Sequence, residues 1–214
     1  MAEDETVNSS GCGYHGALPA TLKDGIEPVL DEGGVEQGDL LGFWRWAYSQ
    51  TLDNTLRGVL AEYIVGLALG IVDDGVRTEW DAFDLVSLEG VRVEVKSSAH
   101  LQSWAQSRPS PLTFSVPQTN AWSHDAGGWG TDRLRQSQVY VFCAFTALDP
   151  AVADPLDTRQ WEFYVASTAR IDVALGKQKS ISLSELKRRV QPVHTVFTEL
   201  AQVVREEAAW IPDI

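Results

Sequence analysis

The sequence predicts an α/β fold: a mixed central sheet of about five strands flanked by helices on both faces. Three observations predict it. Segments with apolar residues at helical spacing alternate with short runs that read as strands. Val139–Phe145 is a continuous apolar run, the pattern of a strand buried on both faces. No internal repeat or linker divides the chain, so its 214 residues are read as a tail, residues 1–38, and a single domain, residues 39–214.

Residues 1–38 are rich in Gly, Ser, Asp and Glu without a clear period, so they are expected to be mostly disordered or loosely packed. From Asp39 the pattern changes. Leu40, Leu41, Phe43, Trp44, Ala47 and Tyr48 recur at helical spacing and predict a helix over 40–51. Asn54 suits an N-cap, and a second helix is expected from Thr55 to Leu69, ended by Gly70. Glu62 interrupts its apolar positions, with Gly58 and Gly66 four residues to either side. Glycine inside a helix costs roughly 1 kcal/mol against alanine. Close approach of the helix backbone to a sheet near Glu62 would account for both.

Strands are expected over Thr78–Ser87 and Val91–Ser98, joined as a hairpin. A two-residue loop, Glu89-Gly90, needs positive φ at Glu89, which a glutamate resists. A three-residue loop, Leu88-Glu89-Gly90, puts glycine in the left-handed position instead. The registers differ in outcome. The three-residue loop sets Asp84 opposite Glu94 and Ala82 opposite Lys96, with Phe83, Leu85, Val91, Val93 and Val95 on one apolar face. The two-residue loop puts Asp84 among those valines and brings Asp81 towards Lys96. A one-residue slip exchanges the two faces, so apolar matching selects the longer loop and Asp84.

Beyond the hairpin, residues 105–130 hold several Pro, Ser and Gly, with a short strand expected at Leu112–Val116. The remainder is expected to be a substrate-facing flap exposing Trp122, His124 and Trp129. Asp132–Gln136 reads as one or two helical turns. Gln160–Ala166 is the next strand, and Thr168 starts a helix to about Leu175. Ser182-x-x-Glu185 is a capping box for a helix to Val190, which Pro192 ends. A last helix covers Thr198–Ala209.

Composition narrows the function. Hydrophobic residues make up 44% and charged residues 22%, as in soluble globular proteins. No apolar run reaches a membrane span, and the acidic start is unlike a signal peptide, so a cytoplasmic location is expected. Two cysteines, Cys12 and Cys143, make neither a disulfide framework nor a metal set. The net charge of −13 argues against a general nucleic-acid coat protein. Residues 1–40 hold nine acids and one base, Lys23, a run suited to shielding a site or binding a protein partner. A basic segment of Arg170, Lys177, Lys179, Lys187, Arg188 and Arg189 lies near the other end, equally readable as a solvated face or a phosphate contact surface.

Two carboxylates a few ångströms apart repel unless a cation lies between them. Oxygen ligands of this kind suit Mg²⁺, with Mn²⁺ the alternative. A lysine beside them can position the attacking water and touch a phosphate. The bland alternative is an edge hairpin with Arg92, Glu94 and Lys96 as its solvated face.

Asp84, then, after nine intervening residues, Glu94-x-Lys96, behind a helix bearing Glu62, resembles the PD-(D/E)xK nuclease superfamily. Phe83 stands where the named motif has proline. The resemblance covers residues 54–100 by motif and the rest by element order. It implies a restriction-endonuclease-like fold and Mg²⁺-dependent hydrolysis of a nucleic acid, with DNA the expected substrate, in restriction, repair or defence. It implies that Asp84, Glu94 and the Val95 carbonyl bind the metal, that Lys96 assists the water, and that Glu62 adds a ligand through water. Ser98, Gln102, Arg133, Arg135 and Gln136 are the expected substrate contacts. Cutting both strands with one site per chain would favour a homodimer. The rival reading keeps the fold as a non-cleaving module for nucleic-acid or protein binding.

Overall fold

The computed structural model describes residues 20–72, 75–77, 82–123 and 128–211. The first described element is a small hairpin, β1 (Pro28–Leu30) and β2 (Glu36–Asp39), in the stretch the composition reads as tail. Asp31 builds its turn: Oδ1 accepts the Gly33 and Val35 N–H groups, each at 2.9 Å. Helix α1 (Leu40–Tyr48) follows, capped by Asp39, and buries none of its residues.

Helix α2 (Asn54–Leu69) matches its expected span within one residue. Its N-cap is Asp53 rather than Asn54, and Gly70 ends it in the left-handed conformation. Asn54 is used differently, accepting from the buried Arg57 at 2.6 Å. The two α2 glycines turn out to differ. A Cβ on Gly66 would stand 3.0 Å from Val72 Cγ2, with Leu85 just beyond, whereas a Cβ on Gly58 would meet nothing within 4 Å. Close approach therefore explains Gly66 only. Gly58→Ala is expected to stabilise the protein by about 0.5–1 kcal/mol. Gly66→Ala should bring no such gain, because Val72 must yield first. Urea denaturation of both variants measures the contrast.

The sheet order is β11-β9-β8-β4-β3. Its strands are β3 (Leu85–Val86), β4 (Arg92–Ala99), β8 (Val139–Phe145), β9 (Trp161–Ser167) and β11 (Val193–Thr195). Only β4 and β8 run parallel; every other pair is antiparallel, so the sheet is mixed. All seven residues of β8 are buried, as the unbroken apolar run requires.

Two cores follow from strand alternation. Val93, Val95, Val141, Phe163 and Val165 face one side and pack with α2 and with α5 (Leu200–Ala208). Tyr140, Phe142, Tyr164 and Ala166 face the other. That second face is covered by α3 (Thr168–Leu175), by the segment from α4 (Leu183–Glu185) through a π-turn to Val190, and by a two-stranded ribbon. The ribbon pairs β5 (Thr113–Ser115) with β10 (Ser180–Ser182). Half of the capping box forms: Ser182 Oγ accepts the Glu185 N–H, but the Glu185 carboxylate turns to Arg188.

Residues expected to be helical at Asp132–Gln136 belong largely to a strand. β6 (Thr119–Ser123) and β7 (Gly128–Leu134) form a separate hairpin in which Trp122 pairs with Trp129. The expected loop over this stretch is thus a two-stranded arm; His124 lies outside the described residues, as does the Thr78–Asp81 part of the expected strand. No helix among the described residues is long and apolar enough to cross a membrane.

Candidate active site

The β3–β4 hairpin carries the site, and its turn decides the register. Gly90 N–H donates to Ser87 O and Ser87 N–H to Val91 O, both at 2.9 Å, with Gly90 at φ +81°. Leu85 pairs with Val93 and Val86 with Arg92. This is the three-residue loop, and it puts Asp84 at the level of Glu94. Ser87 Oγ accepts the Glu89 and Val91 N–H groups and fixes the turn further.

Asp84 ends β3. Its own N–H donates to Val93 O at 3.1 Å, and its Oδ2 accepts the Val95 N–H at 2.7 Å. The carboxylate therefore takes a ladder position that a continuing strand would have filled, and lies at the margin of the sheet. In a strand the N–H and C=O of one residue point to the same side. The Val95 carbonyl accordingly faces the Asp84 margin too.

Glu94, Lys96 and Ser98 project from the opposite face to Val93 and Val95, beside Tyr140, Phe142 and Ala144. Lys96 Nζ meets Glu94 Oε1 at 2.5 Å, both side chains being about one-fifth to one-quarter exposed. Glu62 comes from α2, on the valine side, and is 14% exposed. It is held by Arg77, whose Nε and Nη2 donate to its two oxygens at 2.6 and 3.2 Å. Glu62, Arg77 and Asp84 line one groove of about 540 Å³ with Val59, Tyr63 and Phe83. Asp84 is thus the meeting point, with Glu94 and Lys96 from one face and Glu62 from the other.

The charges register this. Burial raises the Asp84 carboxyl from 3.8 to about 6, and the neighbouring Glu94 pushes it the same way. Lys96 and the Val95 N–H oppose the rise, while Glu62 adds a smaller upward push. Between those two values the folded protein holds a proton that the unfolded chain has released. Stability therefore falls as pH rises across that window and stays lower above it. Asp84→Asn removes the effect, and Asn can still accept the Val95 N–H. The variant is expected to be more stable than wild type by about 1–2 kcal/mol at pH 7–8 and to match it near pH 4. Thermal unfolding across that pH range tests the sign.

The expected substrate contacts divide. Arg133 is exposed, with Nε and Nη2 donating to Gln118 O at 3.2 and 3.0 Å. Arg135, expected to face phosphate, is buried and spends all its nitrogens on the protein. It donates to Val116 O, Gly176 O and Gln178 O and pairs with Asp172. Ser98 is buried too, its Oγ accepting the Thr113 N–H at 3.0 Å. Gln136 donates to Thr119 O and Leu134 O and so closes the base of the β6–β7 arm. Gln102 donates to Ala99 O, which leaves a buried Oε1 with no partner among the described residues. An oxygen acceptor of that kind suits a water proton, not a phosphate oxygen.

Sequence reasoning passed over Arg77 and Tyr140. Tyr140 is paired with Glu94 across β4 and β8, and burial and the Glu94 charge push its hydroxyl upward. An aromatic residue at the β8 position level with Glu94 was the available signal. Among the described residues no three Asp, Glu, His or Cys side chains stand close enough together to hold a metal ion. The oxygens that the resemblance points to, on Asp84, Glu94 and Val95, lie at neighbouring positions of β3 and β4. Mg²⁺ is commonly held by one or two carboxylates with water completing its shell, and these oxygens are of the chemical type it would take. No protein-family model matches the chain, and no curated protein matches it.

Proposed function

We propose that the protein is a nuclease of the restriction-endonuclease-like kind, hydrolysing phosphodiester bonds of nucleic acid, DNA before RNA, with Mg²⁺ or Mn²⁺. The observation that carries this reading is Asp84 at the level of Glu94, its carboxyl raised to about 6 by burial and by that second carboxylate, with Lys96 on the same residue. A carboxyl raised by burial and by a second carboxylate, at the wall of a groove, is a candidate for a working site.

In this reading Asp84, Glu94 and the Val95 carbonyl would hold a divalent cation, which would supply charge neutralisation at the phosphate and a more acidic bound water. Lys96 is fixed by Glu94 and presents its ammonium beside the same carboxylate, where it orients the water and meets a phosphate oxygen. Glu62, held by Arg77, acts on Asp84 through its charge. A nucleic-acid substrate also accords with a cytoplasmic location and with the acidic first 40 residues acting as a shield or a protein contact.

A second reading is a non-cleaving nucleic-acid-binding module of the same fold. Its support is that Lys96 closes directly on Glu94 while Arg77 occupies Glu62. The test is incubation of the protein with plasmid, linear duplex and single-stranded DNA, with Mg²⁺, Mn²⁺ or a chelator, beside Lys96→Ala. Metal-dependent cutting that Lys96→Ala abolishes supports the nuclease. DNA binding without cutting supports the module.

A further inference from the structure

We propose that Arg133, Lys177 and Lys179 form a cleft that binds the phosphate backbone of nucleic acid, apart from the carboxylate site. The cleft is an opening of about 370 Å³ lined by Pro117, Gln118 and these three cations, with no acid among them. That is unusual in a chain with 30 acids and 17 bases. Most other arginines here pair with a carboxylate, as Arg77, Arg135, Arg159, Arg170, Arg188 and Arg205 do. Arg133, Lys177 and Lys179 make no ion pair among the described residues, and all three are exposed.

The cleft is rigidly built. Buried Arg135 donates to the carbonyls of Val116, Gly176 and Gln178, which are chain neighbours of Pro117, Lys177 and Lys179. Val116 N–H donates to Lys179 O at 2.8 Å and joins the two walls directly. Arg133 lies two residues before Arg135, its guanidinium plane set by two hydrogen bonds to Gln118 O. Its Nη1 has no acceptor among the described residues and remains for a ligand. A fixed guanidinium flanked by two ammonium groups matches a row of phosphate oxygens.

Position supports the same ligand. Val116, just after β5, and Ile181 of β10 share one core cluster with Tyr140 and Phe142. Glu94 and Lys96 are level with those two residues on the same face of the sheet. The cleft therefore lies in the layer that covers the Lys96 face of the sheet. Against a net charge of −13, a local cationic cleft also selects where a polyanion can dock.

This inference rests on nucleic acid being the ligand, and binding without metal separates it from the cleavage reading. The experiment is fluorescence anisotropy with a labelled 20-base-pair DNA duplex in chelator, from 50 to 200 mM salt. Lys177→Gln/Lys179→Gln, with and without Arg133→Gln, is compared with wild type and with Arg159→Gln as an exposed control. The expected result is at least tenfold weaker binding at 50 mM salt for the cleft variants. The slope of log affinity against log salt should fall by about 0.9 for each cation removed, with Arg159→Gln unchanged. Equal affinity and slope in cleft variants and wild type, or no binding by wild type at 50 mM salt, would overturn the cleft and leave cleavage to be judged separately. Loss of binding in the cleft variants, with no cutting by wild type in metal, would uphold the cleft and remove the nuclease.

Discussion

Asp84→Asn is expected to lower metal-dependent phosphodiester cleavage by roughly 10³-fold or more, equivalent to about 4 kcal/mol of transition-state stabilisation, while the fold becomes more stable at neutral pH. The two effects have one origin. Asp84 is placed where burial and Glu94 both penalise its charge. A cation beside the pair would turn that penalty into affinity, because a carboxylate short of water is a strong ligand for a hard ion. Asparagine keeps the shape and the bond to the Val95 N–H but brings no charge. Cleavage assays with plasmid DNA, run beside thermal unfolding with and without Mg²⁺, measure both. The decisive pattern is an inactive variant that melts higher without metal and gains nothing when metal is added. A variant that cuts within tenfold of wild type would sink Asp84 as a ligand. Stability that rises as function falls is the usual sign of a site that works at the expense of the fold.

The hairpin was legible because two independent signals agreed. Glycine at the third loop position and the apolar set Leu85, Val91, Val93 and Val95 demanded the same register, and the ladder has it. Helix α2 and strand β8 were legible for similar reasons, through period and an unbroken apolar run. The hairpin of β1 and β2 was missed although Asp31 and the glycines at 33 and 34 signal a turn; the acidic composition outweighed a local feature. The arm of β6 and β7 was missed because its Gly-rich sequence has no alternation to read.

Side-chain partners were the least legible part of the site. Glu62 was placed on the right helix, but its ion pair reaches 15 residues along the chain to Arg77. Arg135 depends on carbonyls 19 to 43 residues away, and no local pattern announces such a link. A charged residue two positions from an exposed arginine reads as a surface residue. Burial reverses its meaning, and burial is set by the ribbon and α3 closing over it.

That reversal gives the second large expectation, which concerns stability. Arg135→Met is expected to destabilise the fold by about 3–5 kcal/mol, whereas Arg133→Gln two residues away should cost less than about 0.5 kcal/mol. Methionine fills much of the volume but donates nothing. The carbonyls of Val116, Gly176 and Gln178 would then lose the guanidinium, at about 1–3 kcal/mol for each one left buried and unpaired. Asp172 adds little, because nearly half of its side chain is already in water. Lysine is no substitute: one ammonium cannot span three carbonyls and a carboxylate that a planar fork reaches together. Urea denaturation gives the magnitude, and amide exchange gives the place. Faster exchange at Val116, whose N–H crosses to Lys179 O, should appear before the β8 amides respond, because the ribbon is held to the sheet by its guanidinium link as well as by Phe114 and Ile181. A loss below about 1 kcal/mol would mean that water replaces the guanidinium freely and that apolar contacts alone secure the ribbon.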